Sequence, residues 1–235
     1  MYIYAHRGGR AGGPENTMAA FTNALACGAD GIELDVQLTK DGHVVICHDY
    51  KINRTSDGCG LLKNLTLSEL KEFDFGAWYD PRFKGQKLLT LAEYLEWHIT
   101  TPLLLNIEIK NGPVIYPGIE ELVIRLVERY HLVDRVIISS FYHPSLLQVK
   151  KLNSTIKTGV LFEGRPIHIC RLAQDVCADY LHPFWQNLDS NFAEAARANR
   201  IGINTYTVND QDDFDLVCSI GVDAIITDCP EKFIR

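Results

Sequence analysis

Two pairs of charged residues are spaced so that each pair would share one face of a β-strand. Glu33 and Asp35 are separated by one apolar residue, and so are Glu108 and Lys110. Residues i and i+2 of a strand point to the same side, so both pairs would converge inside a barrel. Buried carboxylates need a compensating cation, and an all-oxygen ligand set suits Mg²⁺ or Ca²⁺ rather than zinc. We therefore predict that Glu33, Asp35 and Glu108 bind one divalent cation; the alternative is that they face solvent or pair only with Lys110.

Two histidines follow strand-like segments and are suited to proton transfer. His6 ends the first apolar run, and His48 ends another. One histidine can accept a proton from an attacking oxygen, and a second, protonated one can give a proton to a leaving alkoxide. Asp49 would orient His48 only if the two side chains do not point apart, as neighbours in a strand do. Either histidine alone would also fit a polar surface position, and this surface or packing interpretation applies to the six others: His43, His98, His131, His143, His168 and His182.

Positive charge lies next to these groups. Arg7 follows His6 directly, and Lys110 shares a strand face with Glu108. An arginine fork matches two phosphate oxygens, and a lysine acts as a compact point charge. We therefore predict that Arg7 and Lys110 bind a phosphodiester. The alternative for Arg7 is a surface ion pair.

The segment after Arg7 is rich in glycine. Residues 8–13 have the composition of a flexible loop, but the Lys-Ser/Thr ending of a phosphate-binding P-loop is missing. The tetrad at residues 14–17 (Pro-Glu-Asn-Thr) is interpreted as a helix start in which Asn16 or Thr17 is the N-cap residue. Capping alone would account for this tetrad, so it predicts no catalytic role by itself.

Apolar runs rich in β-branched residues alternate with segments of helical periodicity along the chain. The predicted strands are residues 2–5, 31–36, 103–109, 135–139, 157–162, 178–182, 202–207 and 223–227. The predicted helices lie near residues 17–27, 90–98, 117–131, 144–152, 168–176, 189–199 and 210–219. Near-continuous apolar strands separated by helices indicate a parallel sheet covered on both faces. Eight such units favour an α/β fold of the TIM (β/α)₈ barrel type over an open doubly wound sheet.

One connection is longer than a plain strand-to-helix loop. A turn at residues 40–42 leads into another strand-like run at 44–47, as in a hairpin. Residues 51–89 then contain turn signals, aromatic residues and a short helix candidate at 67–73. Loops of this size in a compact barrel are usually functional. We therefore expect a single domain over residues 1–235, with an insertion (cap) at about 51–89 that lies over the mouth of the barrel.

Composition restricts the classes of partner. The 235 residues carry a formal charge of −7, with 46% apolar and 23% charged residues, which is an ordinary globular composition. Negative charge argues against nucleic acid or an anionic membrane as the main partner, and no apolar run is long enough to span a membrane. Seven cysteines without a Cys-x-x-Cys pair, and an N-terminus unlike a signal peptide, indicate reduced thiols in a cytoplasmic protein. The sequence leaves the oligomeric state unknown.

Taken in chain order, these residues resemble the glycerophosphodiester phosphodiesterase family. The resemblance rests on His-Arg-Gly at 6–8, Pro-Glu-Asn-Thr at 14–17, Gly-Ile-Glu-Leu-Asp-Val at 31–36, Thr-Lys-Asp-Gly at 39–42, His-Asp at 48–49, Glu-Ile-Lys at 108–110 and Thr-Val-Asn at 207–209. It implies a TIM barrel with a small cap beside its mouth. The implied reaction is hydrolysis of glycerophosphodiesters, such as glycerophosphocholine and glycerophosphoethanolamine, to glycerol 3-phosphate and an alcohol, as part of lipid and glycerol metabolism.

The resemblance also implies roles for individual residues. The implied metal ligands are Glu33, Asp35 and Glu108. The implied acid–base residues are His6 and His48, and the implied phosphate ligands are Arg7 and Lys110. Tyr206 stands where the family often has tryptophan. We expect Tyr206 to contact substrate at the mouth, so that its replacement by phenylalanine changes the choice of alcohol more than the maximal rate.

Two other functions are compatible with the sequence. The first is a lysophospholipase D activity, in which the same residues act on an acylated glycerophosphodiester. An acyl chain needs an apolar groove, and four aromatic residues of the insertion would provide one unless they pack beneath the cap: Phe75, Trp78, Tyr79 and Phe83. The second is a barrel that binds a phosphodiester without turning it over.

Overall fold

The strands form a closed parallel barrel in a computed structural model that describes residues 1–234. The strands are β1 (Tyr2–His6), β2 (Gly31–Leu38), β3 (Val44–Ile46), β4 (Leu104–Ile109), β5 (Val136–Ser140), β6 (Lys157–Phe162), β7 (Tyr180–Pro183), β8 (Gly202–Thr205) and β9 (Ala224–Thr227). All except β3 are parallel neighbours in chain order, and β1 pairs with both β2 and β9, which closes the barrel. The predicted TIM barrel is therefore confirmed.

Helices occupy the predicted segments, with bounds that differ by one or two residues. They are α1 (Met18–Cys27), α2 (Leu67–Glu72), α3 (Leu91–His98), α4 (Ile119–Arg129), α5 (His143–Leu152), α6 (Ile169–Asp175), α7 (Ser190–Ala198) and α8 (Gln211–Ile220). Side chains cap several of these helices at their N-termini. Thr17 accepts a backbone hydrogen bond at the start of α1, and Thr66 and Thr90 form capping boxes with Glu69 and Glu93.

The C-terminal ends of two strands, β2 and β8, differ from the predicted bounds by two residues. β2 continues beyond residue 36 to Leu38 because residues 36–38 pair antiparallel with β3. The predicted strand at 202–207 ends at Thr205, and Tyr206 forms only an isolated bridge with Phe184.

Alternation along β2 separates the apolar core from the barrel interior. Ile32, Leu34 and Val36 are fully buried and share one apolar cluster with Phe21 of α1 and Tyr94 of α3. Residues between them therefore face the interior of the barrel.

Strand register brings the charged residues together at one end of the barrel. His6 is paired with Glu33 across β1 and β2, and Asp35 is paired with Glu108 across β2 and β4. Side chains of laterally paired residues lie side by side on the same face. This is the carboxyl end of the strands, where TIM barrels hold their active sites.

Residues 51–89 form a compact insertion with its own small core. They contain α2 and three single-turn 3₁₀ helices at Ile52–Arg54, Leu62–Asn64 and Pro81–Phe83. Seven buried residues form this core: Val45, Cys47, Ile52, Leu62, Leu70, Phe75 and Leu88. Because Val45 belongs to β3 and Cys47 follows it, the insertion packs on the hairpin strand. The organisation of the whole chain as one domain stays a prediction.

The cysteines and the helices bear on two further expectations. Within residues 1–234 no disulfide links the seven cysteines. None of the helices within residues 1–234 has the length and apolar character needed to cross a membrane.

Candidate active site

Three carboxylates meet at the C-terminal end of the barrel. Glu33 and Asp35 project inward from β2, Glu108 projects inward from β4, and all three are buried. One oxygen from each carboxylate lies within 4.8 Å of the chosen oxygens of the other two. Their burial rules out the alternative in which these side chains face solvent.

Burial and mutual repulsion make this cluster unfavourable for three negative charges alone. Burial, together with the charges of Asp35 and Glu108, raises the pKa of Glu33 well above its usual value. Burial also raises the pKa of Glu108. Burial alone would raise the pKa of Asp35 too, but Arg7 and Lys110 outweigh it and lower that pKa. Among residues 1–234, Asp35 Oδ1 has no hydrogen-bond partner, so this oxygen set fits a divalent cation such as Mg²⁺ or Ca²⁺.

Two cationic side chains border the carboxylates. Lys110 Nζ donates to Glu108 Oε1 at 2.7 Å and lies 3.7 Å from Asp35 Oδ1. Arg7 has a left-handed backbone with φ 51°, and its backbone N–H donates to Glu33 Oε2 at 3.0 Å. Arg7 Nε lies 3.4 Å from Asp35 Oδ2. Lys110 and Arg7 therefore belong to the cluster, and Arg7 is not a surface residue.

His6 is held by a carboxylate that the sequence patterns did not indicate. His6 Nδ1 lies 2.7 Å from Asp228 Oδ1, and Asn209 Nδ2 donates to Asp228 Oδ2 at 2.9 Å. His6 Nε2 lies 4.0 Å from Glu33 Oε2. Burial lowers the pKa of His6, although the hydrogen bond to Asp228 opposes this effect. The only signal in the sequence was the Thr-Val-Asn motif that ends at Asn209.

His48 has an equivalent partner in its neighbour. His48 Nδ1 lies 2.6 Å from Asp49 Oδ1. The expectation that these side chains point apart is wrong, because both residues follow β3 in a bend. Arg54 of the insertion donates Nε to Asp49 Oδ2 at 2.7 Å, and this hydrogen bond lowers the pKa of Asp49 to about 2. Both predicted histidines thus have Nδ1 engaged by an aspartate.

Glu15 and Asn16 also contact the site, which capping did not predict. Arg54 donates through Nη1 and Nη2 to the two oxygens of Glu15, each at 2.7 Å. Arg7 Nη1 donates to the same carboxylate at 2.9 Å. Asn16 has φ 59° and donates Nδ2 to Asp35 Oδ2 at 2.9 Å. The Pro-Glu-Asn-Thr tetrad therefore supports the charged cluster as well as the start of α1.

The cluster opens into a cavity of about 180 Å³. Seven of the eight predicted site residues line it: His6, Arg7, Glu33, His48, Glu108, Lys110 and Tyr206. The eighth, Asp35, is fully buried against the other carboxylates. The Tyr206 hydroxyl donates to the Phe162 carbonyl at 3.1 Å, so the hydroxyl is bound to backbone. Its ring lies next to Phe141, with the ring centroids 6.0 Å apart.

The insertion reaches the site through Arg54 and does not line the cavity. None of the four aromatic residues considered above (Phe75, Trp78, Tyr79 and Phe83) is among the residues that line this cavity. Phe75 is buried in the core of the insertion, and the Tyr79 hydroxyl donates to the Ala11 carbonyl. The insertion contacts the carboxyl end of the barrel through Arg54 and Tyr79, and its position over the mouth stays a prediction. These four residues also do not form the apolar groove that an acyl chain would need at this cavity.

Known proteins match the chain over nearly its whole length. A model of the Glycerophosphoryl diester phosphodiesterase family matches residues 6–232. A glycerophosphodiester phosphodiesterase of Caldanaerobacter subterraneus subsp. tengcongensis is 44% identical over 233 residues, which are 99% of this chain and 96% of the relative. A glycerophosphodiester phosphodiesterase of Bacillus altitudinis is 38% identical over 99% of this chain and 96% of the relative.

Solved structures share the fold. An Oleispira antarctica phosphodiesterase in complex with the product sn-glycerol-3-phosphate has a TM-score of 0.92 and 29% identity, covering 99% of this chain and 94% of that chain. A glycerophosphodiester phosphodiesterase from Agrobacterium tumefaciens has a TM-score of 0.87 and 28% identity, covering 100% and 99%. These proteins are named as enzymes, which argues against a barrel that only binds a phosphodiester. Because family model, relatives and barrel agree over almost the full length, this chain belongs to the glycerophosphoryl diester phosphodiesterase family of enzymes.

Proposed function

We propose that this protein hydrolyses small glycerophosphodiesters, such as glycerophosphocholine and glycerophosphoethanolamine, to glycerol 3-phosphate and the free alcohol. One observation carries the proposal: two histidines, each paired through Nδ1 with an aspartate, line the same cavity as the carboxylate cluster. The Oleispira antarctica relative, solved with sn-glycerol-3-phosphate as its product, supports the same product here.

Glu33, Asp35 and Glu108 hold one divalent cation in this proposal, either Mg²⁺ or Ca²⁺. Such a cation supplies Lewis-acid chemistry, because it withdraws charge from the phosphate oxygens and favours attack at phosphorus. The chain orients the ligands through neighbouring side chains. Asn16 donates to Asp35, and Lys110 donates to Glu108, so two of the three carboxylates are fixed by hydrogen bonds.

His6 and His48 move the protons. Hydrolysis of a phosphodiester requires that a proton leave the attacking oxygen and that a proton reach the oxygen of the departing alcohol. An ionised aspartate only accepts hydrogen bonds, so Asp228 and Asp49 favour the tautomers in which Nδ1 carries the proton. The Nε2 atoms of both rings are then available for proton transfer in the cavity.

Arg7 and Lys110 bind the phosphate. Burial would lower the pKa of Lys110, but Glu108 and Asp35 outweigh it and raise that pKa, so the ammonium stays charged. Arg7 is anchored by Glu15 through Nη1. The remaining guanidinium N–H groups, together with the Lys110 ammonium, stabilise the additional negative charge of the transition state.

The test measures release of glycerol 3-phosphate from glycerophosphocholine by the purified protein. We expect EDTA to abolish release and one of the two ions to restore it. His6→Ala and His48→Ala should each lower the rate by about a hundredfold or more, the usual contribution of a general acid or base. His43→Ala, at an exposed histidine, is the matched control and should keep the rate. Release that survives both chelation and loss of either histidine would refute the proposal.

A further inference from the structure

The mouth of the barrel has two chemically different halves. Apart from Glu163, the charged residues that line the cavity come from β1, β2 and β4 or follow them directly, with His48 after β3. The facing half is formed at the ends of β5, β6, β8 and β9. These strands follow one another around the barrel, with only β7 between β6 and β8. Its lining residues are Phe141, Leu161, Glu163, Tyr206, Thr207 and Ile226. A phosphate held by the charged half therefore directs one substituent of the substrate toward this second half.

Glu163 is the acidic residue of the second half. It directly follows β6, its side chain is exposed to the cavity, and within residues 1–234 its carboxylate has neither an ion pair within 4.0 Å nor a hydrogen bond. A carboxylate without a partner in a cavity built for a phosphodiester repels the substrate anion, unless the substrate also carries positive charge. After burial, Glu163 is the largest cause of the raised pKa of Tyr206, which agrees with its position beside that ring.

Two aromatic rings, those of Phe141 and Tyr206, line the same half of the cavity as Glu163. Phe141 and Tyr206 meet edge to face, with centroids 6.0 Å apart and an interplanar angle of 88°. The ring of Phe184 also lies near that of Tyr206, with centroids 6.1 Å apart. The faces of aromatic rings attract cations, and the Lys110 ammonium already lies 6.0 Å from the centroid of Phe141. Aromatic cages bind quaternary ammonium groups in proteins in the same way.

We propose, on the basis of the function proposed above, that Glu163, Phe141 and Tyr206 select substrates whose leaving alcohol carries a positive charge, as in a quaternary or primary amino alcohol. Such a substrate is a zwitterion. Its phosphate lies against Arg7 and Lys110, and its ammonium lies against Glu163 and the rings. A diester of glycerol with an uncharged alcohol has the same phosphate but gains nothing from Glu163.

The test compares kcat/KM for three substrates. They are glycerophosphocholine, its 3,3-dimethylbutyl analogue, in which carbon replaces the charged nitrogen, and glycerophosphoglycerol. We expect the wild type to prefer glycerophosphocholine over the isosteric analogue. Glu163→Gln should lower kcat/KM for glycerophosphocholine by about fivefold, as expected for one partly exposed ion pair. It should not lower the values for the other two substrates and should raise them slightly, because their uncompensated phosphate is no longer repelled by the carboxylate. Glu194→Gln, at an exposed glutamate of α7, makes the same charge change away from the mouth and should alter none of the values.

A second variant tests the aromatic part. Phe141 is 42% exposed, so Phe141→Leu should fold normally and should reduce the preference for the charged substrate over its neutral isostere. An equal loss on all three substrates for Glu163→Gln would show that the carboxylate binds the glycerol moiety, and would overturn the inference alone. An unchanged preference in both variants would overturn it as well. Absence of turnover on all three substrates would overturn the proposed function, and this inference with it.

Discussion

Asp228 Oδ1 lies 2.7 Å from His6 Nδ1, although the two residues are at opposite ends of the chain. Closure of the barrel makes this contact, because β9 pairs with β1 so that Ala5 lies beside Thr227. His6 directly follows Ala5, and Asp228 directly follows Thr227. Asn209 holds the second carboxylate oxygen and also accepts the backbone N–H of Asp228. The His6 imidazole is therefore held by the Asp228 carboxylate, which Asn209 holds in turn. Asp228 is thus suited to positioning His6.

We expect Asp228→Asn to lower kcat by about a hundredfold with a smaller effect on KM, since the amide no longer enforces the tautomer in which Nε2 accepts a proton. Steady-state kinetics on glycerophosphocholine measure the split between kcat and KM, and ¹⁵N NMR of the His6 ring reports the tautomer. Asp228→Glu should restore part of kcat because it restores the charge. Asp215→Asn, on the exposed face of α8, is the control. A full kcat with an unchanged His6 tautomer would contradict the positioning role.

Glu15 accepts hydrogen bonds from two arginines and should matter both for stability and for substrate binding. Its carboxylate is buried and accepts from Arg7 and from both Nη atoms of Arg54. Burial alone would raise the pKa of Glu15, but these arginines outweigh it and lower that pKa. We expect Glu15→Gln to reduce the free energy of unfolding by about 2 kcal/mol, because Arg7 loses one of its buried counter-charges and Arg54 loses one as well.

Denaturant unfolding measures the loss in Glu15→Gln, and kinetics should show a raised KM because the guanidinium of Arg7 is less well oriented. Glu121→Gln removes a solvent-exposed ion pair with Arg125 and should leave both quantities nearly unchanged. If Glu15→Gln and Glu121→Gln change the free energy of unfolding and KM equally, the hydrogen bonds of Glu15 to Arg7 and Arg54 contribute nothing to stability or substrate binding.

Local periodicity explains why part of the site was predictable. The alternation in β2 and β4 determines which side chains face the barrel interior, so the spacing of Glu33, Asp35 and Glu108 sufficed to bring them together. The same alternation of strands and helices predicted the barrel, because each βα unit buries its apolar face locally.

The missed contacts depend on chain segments that are distant in sequence. Asp228 reaches His6 only because the last strand closes on the first, and no local pattern encodes that register. Glu15 is partnered by Arg54, whose position depends on the path of the insertion. His48 and Asp49 lie in a bend beyond β3, so the rule for neighbours within a strand did not apply to them.

Gly159 leaves room for a buried histidine inside the barrel. A Cβ atom at this position would overlap the ring of His182, which is fully buried on the neighbouring strand β7. We expect Gly159→Ala to lower the free energy of unfolding by about 2 kcal/mol, as overpacking does in a closed interior. A double-mutant cycle with His182→Ala supplies the check, because removing the ring should abolish most of the cost of Gly159→Ala. Additive effects would mean that the two residues are not in steric contact.

His182 should make folding sensitive to acid. Burial lowers its pKa from 6.5 to about 3, so the folded protein keeps the ring neutral where the unfolded chain protonates it. The contribution to stability is complete above pH 6.5 and is lost as the pH falls toward 3. From pH 7 to pH 5 the loss is about 2 kcal/mol for one such group. The difference in unfolding free energy between wild type and His182→Gln, measured across this range, should change by that amount; parallel pH profiles would disprove it.

Glu33 should lower the stability of the protein when no metal is bound. Its carboxylate is buried beside two others, and their charges add to burial in raising its pKa. Glu33→Gln keeps the shape and can still accept the Arg7 backbone N–H, but removes one of the repelling charges. In EDTA we expect the free energy of unfolding of Glu33→Gln to be about 1 kcal/mol higher than that of the wild type, so that the variant is the more stable protein.

Addition of Mg²⁺ or Ca²⁺ should reverse the order, because the ion binds the folded wild type and raises its Tm, whereas Glu33→Gln lacks one of the three proposed ligands. Thermal unfolding with and without each ion measures both effects, and Glu194→Gln serves as the charge-matched control. A variant that is less stable than the wild type in EDTA would argue against repulsion within the cluster. If the ion raises the Tm of Glu33→Gln as much as that of the wild type, Glu33 is not one of its ligands. Stabilisation by a bound ion requires that the folded state retain its affinity for that ion.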